Sequence, residues 1–236
     1  MRRIAQAPLL FEPGSQWLYS LGVDVAGAVA EAATGEPLQA LFKRLLAAPL
    51  GLRDTAFATR DAARLATPYV SDAPQPHRLQ EGEVVAPFEG TVGITYSLAR
   101  ATDARHFASA GAGLVGTADE VMAVLEALRD VPSSRLLPPA LAVEMATAQV
   151  GEQGPPEPAG WGFGLGFAVL RDAAASGTPQ REGTWRWGGA YGHSWFVDPA
   201  RGLSVVALTN TLYEGMHGAF VDDLRDAVYA DLEATR

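Results

Sequence analysis

Apolar and polar positions alternate most clearly between Trp185 and Asn210, WRWGGAYGHSWFVDPARGLSVVALTN, and the pattern predicts three consecutive strands. Trp185 to Gly189 is the first, His193 to Val197 the second, and Leu203 to Thr209 the third. The residues Asp198-Pro199-Ala200-Arg201-Gly202 between the last two are types that turn a chain, and they read as a hairpin connection. In the third run Leu203, Val205 and Ala207 face one way, and Val206 and Leu208 the other. A strand apolar on both faces must be covered on both, so a sheet between helices is expected. Gly188 and Gly189 end the first strand and let a ligand or another chain segment come close, a tight corner being the alternative.

Upstream the period changes. Leu10-Phe11-Glu12-Pro13-Gly14-Ser15 is a turn, and Leu21, Val25 and Val29 then recur at helical spacing up to a stop at Gly35. A second helix is predicted from Pro37, with Leu38, Leu41, Phe42, Leu45 and Leu46 on one face, ending at Pro49-Leu50-Gly51. From about Asp61 to His106 the pattern dissolves into a long loop. Thr117 with Glu120 three residues later is a capping box, opening a helix with Val121, Val124, Leu125 and Leu128 inward. Pro138-Pro139 starts a short helix reaching Met145, and Gly151 to Gly160 reads as a linker. Trp161 to Phe167 alternates bulky residues with glycines, which predicts one strand with a close neighbour on its glycine face. It lacks the spacing of a phosphate loop or dinucleotide fold. Phe220, Leu224, Val228 and Leu232 make a final amphipathic helix. A mostly helical part (1–150) followed by antiparallel strands and a helix (151–236) predicts a single α+β domain.

Composition excludes several functions. The net charge is -9 with scattered basic residues, so nucleic acid is not an expected partner. Without cysteine there is no disulfide, thiolate zinc site or cysteine nucleophile. His77, His106, His193 and His217 lie far apart, and neither a metal nor another cofactor is expected. No apolar run is long enough to span a bilayer. Met1 to Gln6 is too short in its apolar part for a signal peptide; the compartment is left open, with the cytoplasm slightly favoured and any export signal upstream of Met1. Lys43 is the one lysine, and it lies off the apolar stripe of its helix, where solvation is the ordinary fate.

FEPGSQWLYS, AAPLGLRDTAF, GAGLVGTADEVMAVLEAL, WGFGLGF and WGGAYGHSWFVDPARGLSVVALTN occur in an order that resembles the serine β-lactamase and penicillin-binding-protein superfamily, particularly class C β-lactamases and the esterases like them. The resemblance implies a β-lactamase-like fold, an antiparallel sheet flanked by helices plus a helical region. It also implies three motifs. The first, Ser-x-x-Lys, carries the nucleophile; here Ala40 stands three residues before Lys43, so the motif is absent. The second, Tyr-x-Asn, is matched by Tyr19-Ser20-Leu21, and the third, Lys-Thr-Gly, by Trp187-Gly188-Gly189. Leu21 lacks the amide that would bind a lactam side chain, and Trp187 lacks the cation that would hold a β-lactam carboxylate. Both departures imply ester hydrolysis.

In the family the nucleophile motif precedes the tyrosine, whereas only Met1 to Leu18 precede Tyr19. The expectation is the C-terminal part of a hydrolase, lacking the nucleophile helix and first strands. Alone it would be inactive, and a missing N-terminal segment or a complementing chain would complete it. By resemblance, Tyr19 is the proton shuttle and the Ala190 N–H one of two oxyanion donors. Trp187, Gly188 and Gly189 would hold a small-molecule ester. His193 either lines the site or is a satisfied structural histidine. Packing is the less favoured alternative for Tyr19 and an equal one for Trp187, and Trp161 and Trp195 read as core. Two alternatives stay open: a non-catalytic ligand-binding protein of the same fold, and β-lactam or D-amino peptide hydrolysis by a complete protein.

Overall fold

The computed structural model describes residues 1–130, 136–151 and 158–234, so most of the expected 151–160 linker lies outside the described residues. The chain starts with α1 (Arg2–Ala5), α2 (Gly22–Thr34) and α3 (Leu38–Phe42), the last running through a π-helical turn, Lys43–Ala47, into α4 (Ala48–Leu50). Two short antiparallel ladders follow: β1 (Tyr69–Val70) with β2 (His77–Arg78), and β3 (Val84–Val85) with β4 (Ile94–Thr95). Next come α5 (Ala118–Arg129), α6 (Pro139–Met145), β5 (Trp161–Phe163), β6 (Ala168–Leu170) and α7 (Ala173–Ser176). The last part is β7 (Trp185–Gly189), β8 (His193–Asp198), β9 (Leu203–Leu208), α8 (Glu214–His217) and α9 (Ala219–Ala234).

The three strands expected between Trp185 and Thr209 form, within a five-stranded antiparallel sheet ordered β5-β6-β7-β8-β9. Directly opposed residues share a face. The register Trp185↔Val197, Trp187↔Trp195 and Trp195↔Val206 therefore puts these side chains on one side, where Trp185, Val197, Phe167 and Leu125 of α5 make a core. The other side carries Phe196 and Asp198 against Tyr229 of α9. Both faces of the central strand β8 are covered, whereas β9, whose two-sided pattern predicts the same, is only partly buried and ends in the exposed Leu208. Asp198, fully buried, accepts from the Tyr229 hydroxyl at 2.6 Å and from the Arg201 N–H at 3.1 Å, tying helix, strand and turn together. The expected hairpin connection is a 3-10 turn, Pro199–Arg201, closed by Gly202 at φ 63°.

Several expectations need correction. Trp161 to Phe167 is not one strand: β5 ends at Phe163, and the chain turns back through Gly164 and Gly166, the latter at φ 114°. Its glycines do face close neighbours, since a Cβ on Gly162 would lie 2.7 Å from Arg171 and 2.8 Å from Ala148. The 61–106 stretch holds the two ladders rather than loop alone. In the second helix the π-helical turn adds a residue, which rotates Leu45 outward and Ala47 inward; Lys43 is exposed. Thr117 caps α5 by accepting from Glu120 N–H, but the Glu120 carboxylate does not return the bond. It takes the N–H groups of Arg53 and Asp54 and the Thr55 hydroxyl instead. The largest departure is α2. Its expected inward stripe lies in solvent, with Leu21 55% and Val29 61% exposed, while Gly27 is the buried position.

Candidate functional site

Trp17 and Tyr19 are two apart in an irregular segment before α2, and both rings reach the same side of the sheet. They meet two residues of the sheet. Tyr19 lies 5.2 Å from Trp187 between ring centroids, Trp17 lies 5.1 Å from Phe163, and Phe163 lies 5.1 Å from Trp187. With Trp17 and Tyr19 themselves 6.4 Å apart, the four rings close a circuit. Tyr19 is 55% exposed, so this wall opens on solvent. Among the described residues no hydrogen bond or cation–π contact reaches Tyr19; the two cation–π contacts are Arg186 over Trp161 and Arg201 over Tyr229.

The edge of β7 is open beside this wall. Pairing with β6 covers Trp185 and Arg186 and stops there, while Trp187, Gly188 and Gly189 pair only with β8. Beyond them the chain turns at Ala190 and Tyr191. The Gly192 N–H donates to the Gly189 carbonyl, and the Tyr213 N–H to the Ala190 carbonyl, each at 2.9 Å. The Ala190 N–H itself meets no acceptor among the described residues.

The glycines answer what approaches them. A Cβ on Gly188 would meet the Gly215 carbonyl and, at 3.0 Å, the Met216 backbone, so α8 fills that face. A Cβ on Gly189 would meet the His193 ring at 3.4 Å. His193 therefore lies under the turn, opposite Gly189 in the ladder. Burial pushes its pKa down, against a smaller raising contact from the Thr209 backbone, and its buried Nδ1 has no partner. A neutral imidazole is the form such a place favours. The structure thus brings Tyr19, Trp187, Gly188, Gly189, Ala190 and His193 into one region, with Lys43 on an exposed face of its helix.

Two ring partners, Trp17 and Phe163, went unnoticed in the sequence. The Trp-x-Tyr spacing was the available signal for Trp17, and Phe163 was hidden in the glycine alternation. Among the described residues no group of three His, Asp or Glu suits a metal ion, and no helix is long and apolar enough to cross a membrane.

The beta-lactamase family model matches residues 1–230. The chain belongs to the beta-lactamase family. Esterase EstB of Burkholderia gladioli is 49% identical over 231 residues, which are 98% of this chain and 58% of EstB. The solved structure of EstCE1, a hydrolase with promiscuous acyltransferase activity, superposes with a TM-score of 0.88 at 48% identity, covering 97% of this chain and 60% of EstCE1. The LovD6 mutant of simvastatin synthase from Aspergillus terreus, at 22% identity and a TM-score of 0.77, shares the fold. The chain spans 58% of EstB, so it matches little more than half of that relative. This beta-lactamase-family chain carries the antiparallel sheet and flanking helices of that fold.

Proposed function

We propose that the chain is the substrate-wall and oxyanion part of a serine carboxylesterase, whose Ser-x-x-Lys nucleophile lies on residues outside these 236. One observation carries the reading: Tyr19 touches Trp187 at an open strand edge that ends in the unengaged Ala190 N–H. The likeness to an esterase at 49% identity supports it. A serine oxygen held between Tyr19 and Ala190 would attack the ester carbonyl carbon. The serine proton would pass by way of Tyr19 to the departing alcohol, leaving an acyl-enzyme. Water would then add to the acyl carbon, give its proton to Tyr19 and release the carboxylic acid, the serine regaining a proton. The Ala190 N–H, with a second donor on the nucleophile, would hold the oxyanion at both stages.

The wall argues for the substrate class. Trp17, Tyr19, Phe163 and Trp187 offer apolar ring surface with no cation among them, which suits an uncharged acyl or alcohol group rather than a β-lactam carboxylate. A phenol acts as a base near neutrality only where cations favour its phenolate, and the lysine of the missing motif would supply that field. Without that segment the chain binds but does not turn over.

In the protein completed by its nucleophile segment, Tyr19→Phe should lower kcat for a p-nitrophenyl ester by roughly 10²–10⁴-fold, with KM changed far less. An unchanged kcat would remove Tyr19 from the mechanism. The absence of Ser-x-x-Lys favours one other reading, a non-catalytic ligand-binding protein of the same fold. That protein would bind esters and stay inert with the nucleophile segment added.

A further inference from the structure

Tyr213 is the only non-glycine residue at positive φ among the described residues, at φ 68° and ψ -14°. Side chains with a Cβ avoid this conformation, and its persistence means the surroundings over-determine it. The restraints are specific. The Tyr213 hydroxyl donates to the Val85 carbonyl of β3 at 3.0 Å and accepts from the Tyr96 hydroxyl at 2.9 Å. Its ring is buried in a cluster with Val70, Leu79, Tyr96 and Leu212, against which Ala190 and Tyr191 pack. Its backbone N–H is the donor to Ala190 O.

That last bond decides what Tyr213 does. In a trans peptide the C=O and N–H point in opposite directions. The Gly192 N–H holds the Gly189 carbonyl and so orients the peptide that carries the Ala190 N–H. The Tyr213 N–H holds the next carbonyl, that of Ala190, and fixes the turn's second peptide plane. With both carbonyls engaged, the Ala190 N–H is directed out of the turn. The ladder segment contributes too, since Leu212 N–H donates to Tyr69 O at 2.7 Å and Tyr191 sits edge-on to Tyr96 with centroids 5.3 Å apart.

We propose that Tyr213 is a positioning residue: its left-handed backbone and anchored hydroxyl set the Ala190 turn, and tie that setting to the β1–β4 ladders. The inference rests on the esterase reading for what the turn does, and on the chain itself for how the turn is held. Tyr213→Phe keeps the ring and removes both hydroxyl bonds. In this 236-residue chain, amide hydrogen exchange at position 213 should then speed up by roughly 10-fold, with the far-UV spectrum unchanged. In the completed esterase the same change should lower kcat roughly 10-fold with KM within about twofold, because a displaced oxyanion donor costs the transition state and not the ground state. Tyr96→Phe, which spares the Val85 bond, should give the same pattern in smaller degree, and it decides the matter if Tyr213→Phe does not fold. Unchanged exchange in both variants overturns the anchoring. Faster exchange with unaltered kcat overturns the link to catalysis. If the completed parent protein hydrolyses no ester, the esterase reading has failed, and the exchange result still decides whether Tyr213 holds the turn.

Discussion

Trp185 and Val29 belong to equally clear apolar patterns and end in opposite surroundings, 2% and 61% exposed respectively. The sheet supplies its own cover. Leu125 of α5 packs on one face and Tyr229 of α9 on the other, and every strand from β5 to β9 is paired. Helix α2 buries Gly27, where a Cβ would lie 2.7 Å from Ala110, and leaves Leu21, Val25 and Val29 uncovered. β9 has β8 on one edge and no strand on the other. The difference separates a sheet interior whose packing is finished from an apolar helix face that is uncovered among the described residues. The candidate site lies where the two meet: Tyr19 comes from the chain entering α2, Trp187 from β7, and Ala190 from the turn that follows β7.

Trp185→Ala breaks the finished side and should have the largest effect. Its ring stacks on Phe167 at 4.7 Å and meets Trp195 at 5.7 Å, so truncation should cost roughly 3–5 kcal/mol. Urea unfolding would report this as a midpoint lowered by more than about 1 M.

Glu120→Gln tests the seam between the N-terminal part and α5. The carboxylate loses solvent on burial, yet the Thr55 hydroxyl and the Arg53 and Asp54 N–H groups outweigh that and hold its pKa below the ordinary carboxylate value. The substitution should cost about 1–2 kcal/mol at neutral pH. Because the folded pKa is the lower one, this stability is present above the unfolded pKa and lost as pH falls through the folded value. The gap between parent and variant should therefore close in acid.

Val29→Ser should have the smallest effect, within about 0.5 kcal/mol in this chain, while reducing the binding of a hydrophobic dye. A loss as large as that of Trp185→Ala would mean that α2 is already covered, and would erase the contrast.

The strands from Trp185 to Leu208 could be read from the sequence because their alternation and turn residues are local signals. The Trp161–Phe167 stretch could not, because alternate glycines look the same in a strand and in a turn that uses Gly166 at positive φ. The α2 stripe was visible as a pattern, but a pattern names the face that wants cover and not whether cover is present. The gathering of Tyr19, Trp187 and Ala190 rested on motif resemblance, since nothing local links residues so far apart in the chain. Tyr213 had no signal at all. Left-handed positions are ordinarily glycine or asparagine, and a tyrosine there is held by Val85 and Tyr96, both more than 100 residues away.

We propose that this chain holds the wall and oxyanion turn of an esterase but not its nucleophile. Intact-mass measurement after incubation with an alkyl fluorophosphonate tests it most directly. The 236-residue chain should remain unmodified, and the chain joined to a Ser-x-x-Lys segment should gain one adduct, on that serine. A stoichiometric adduct on any serine of the 236 residues alone would show that the chain carries its own nucleophile.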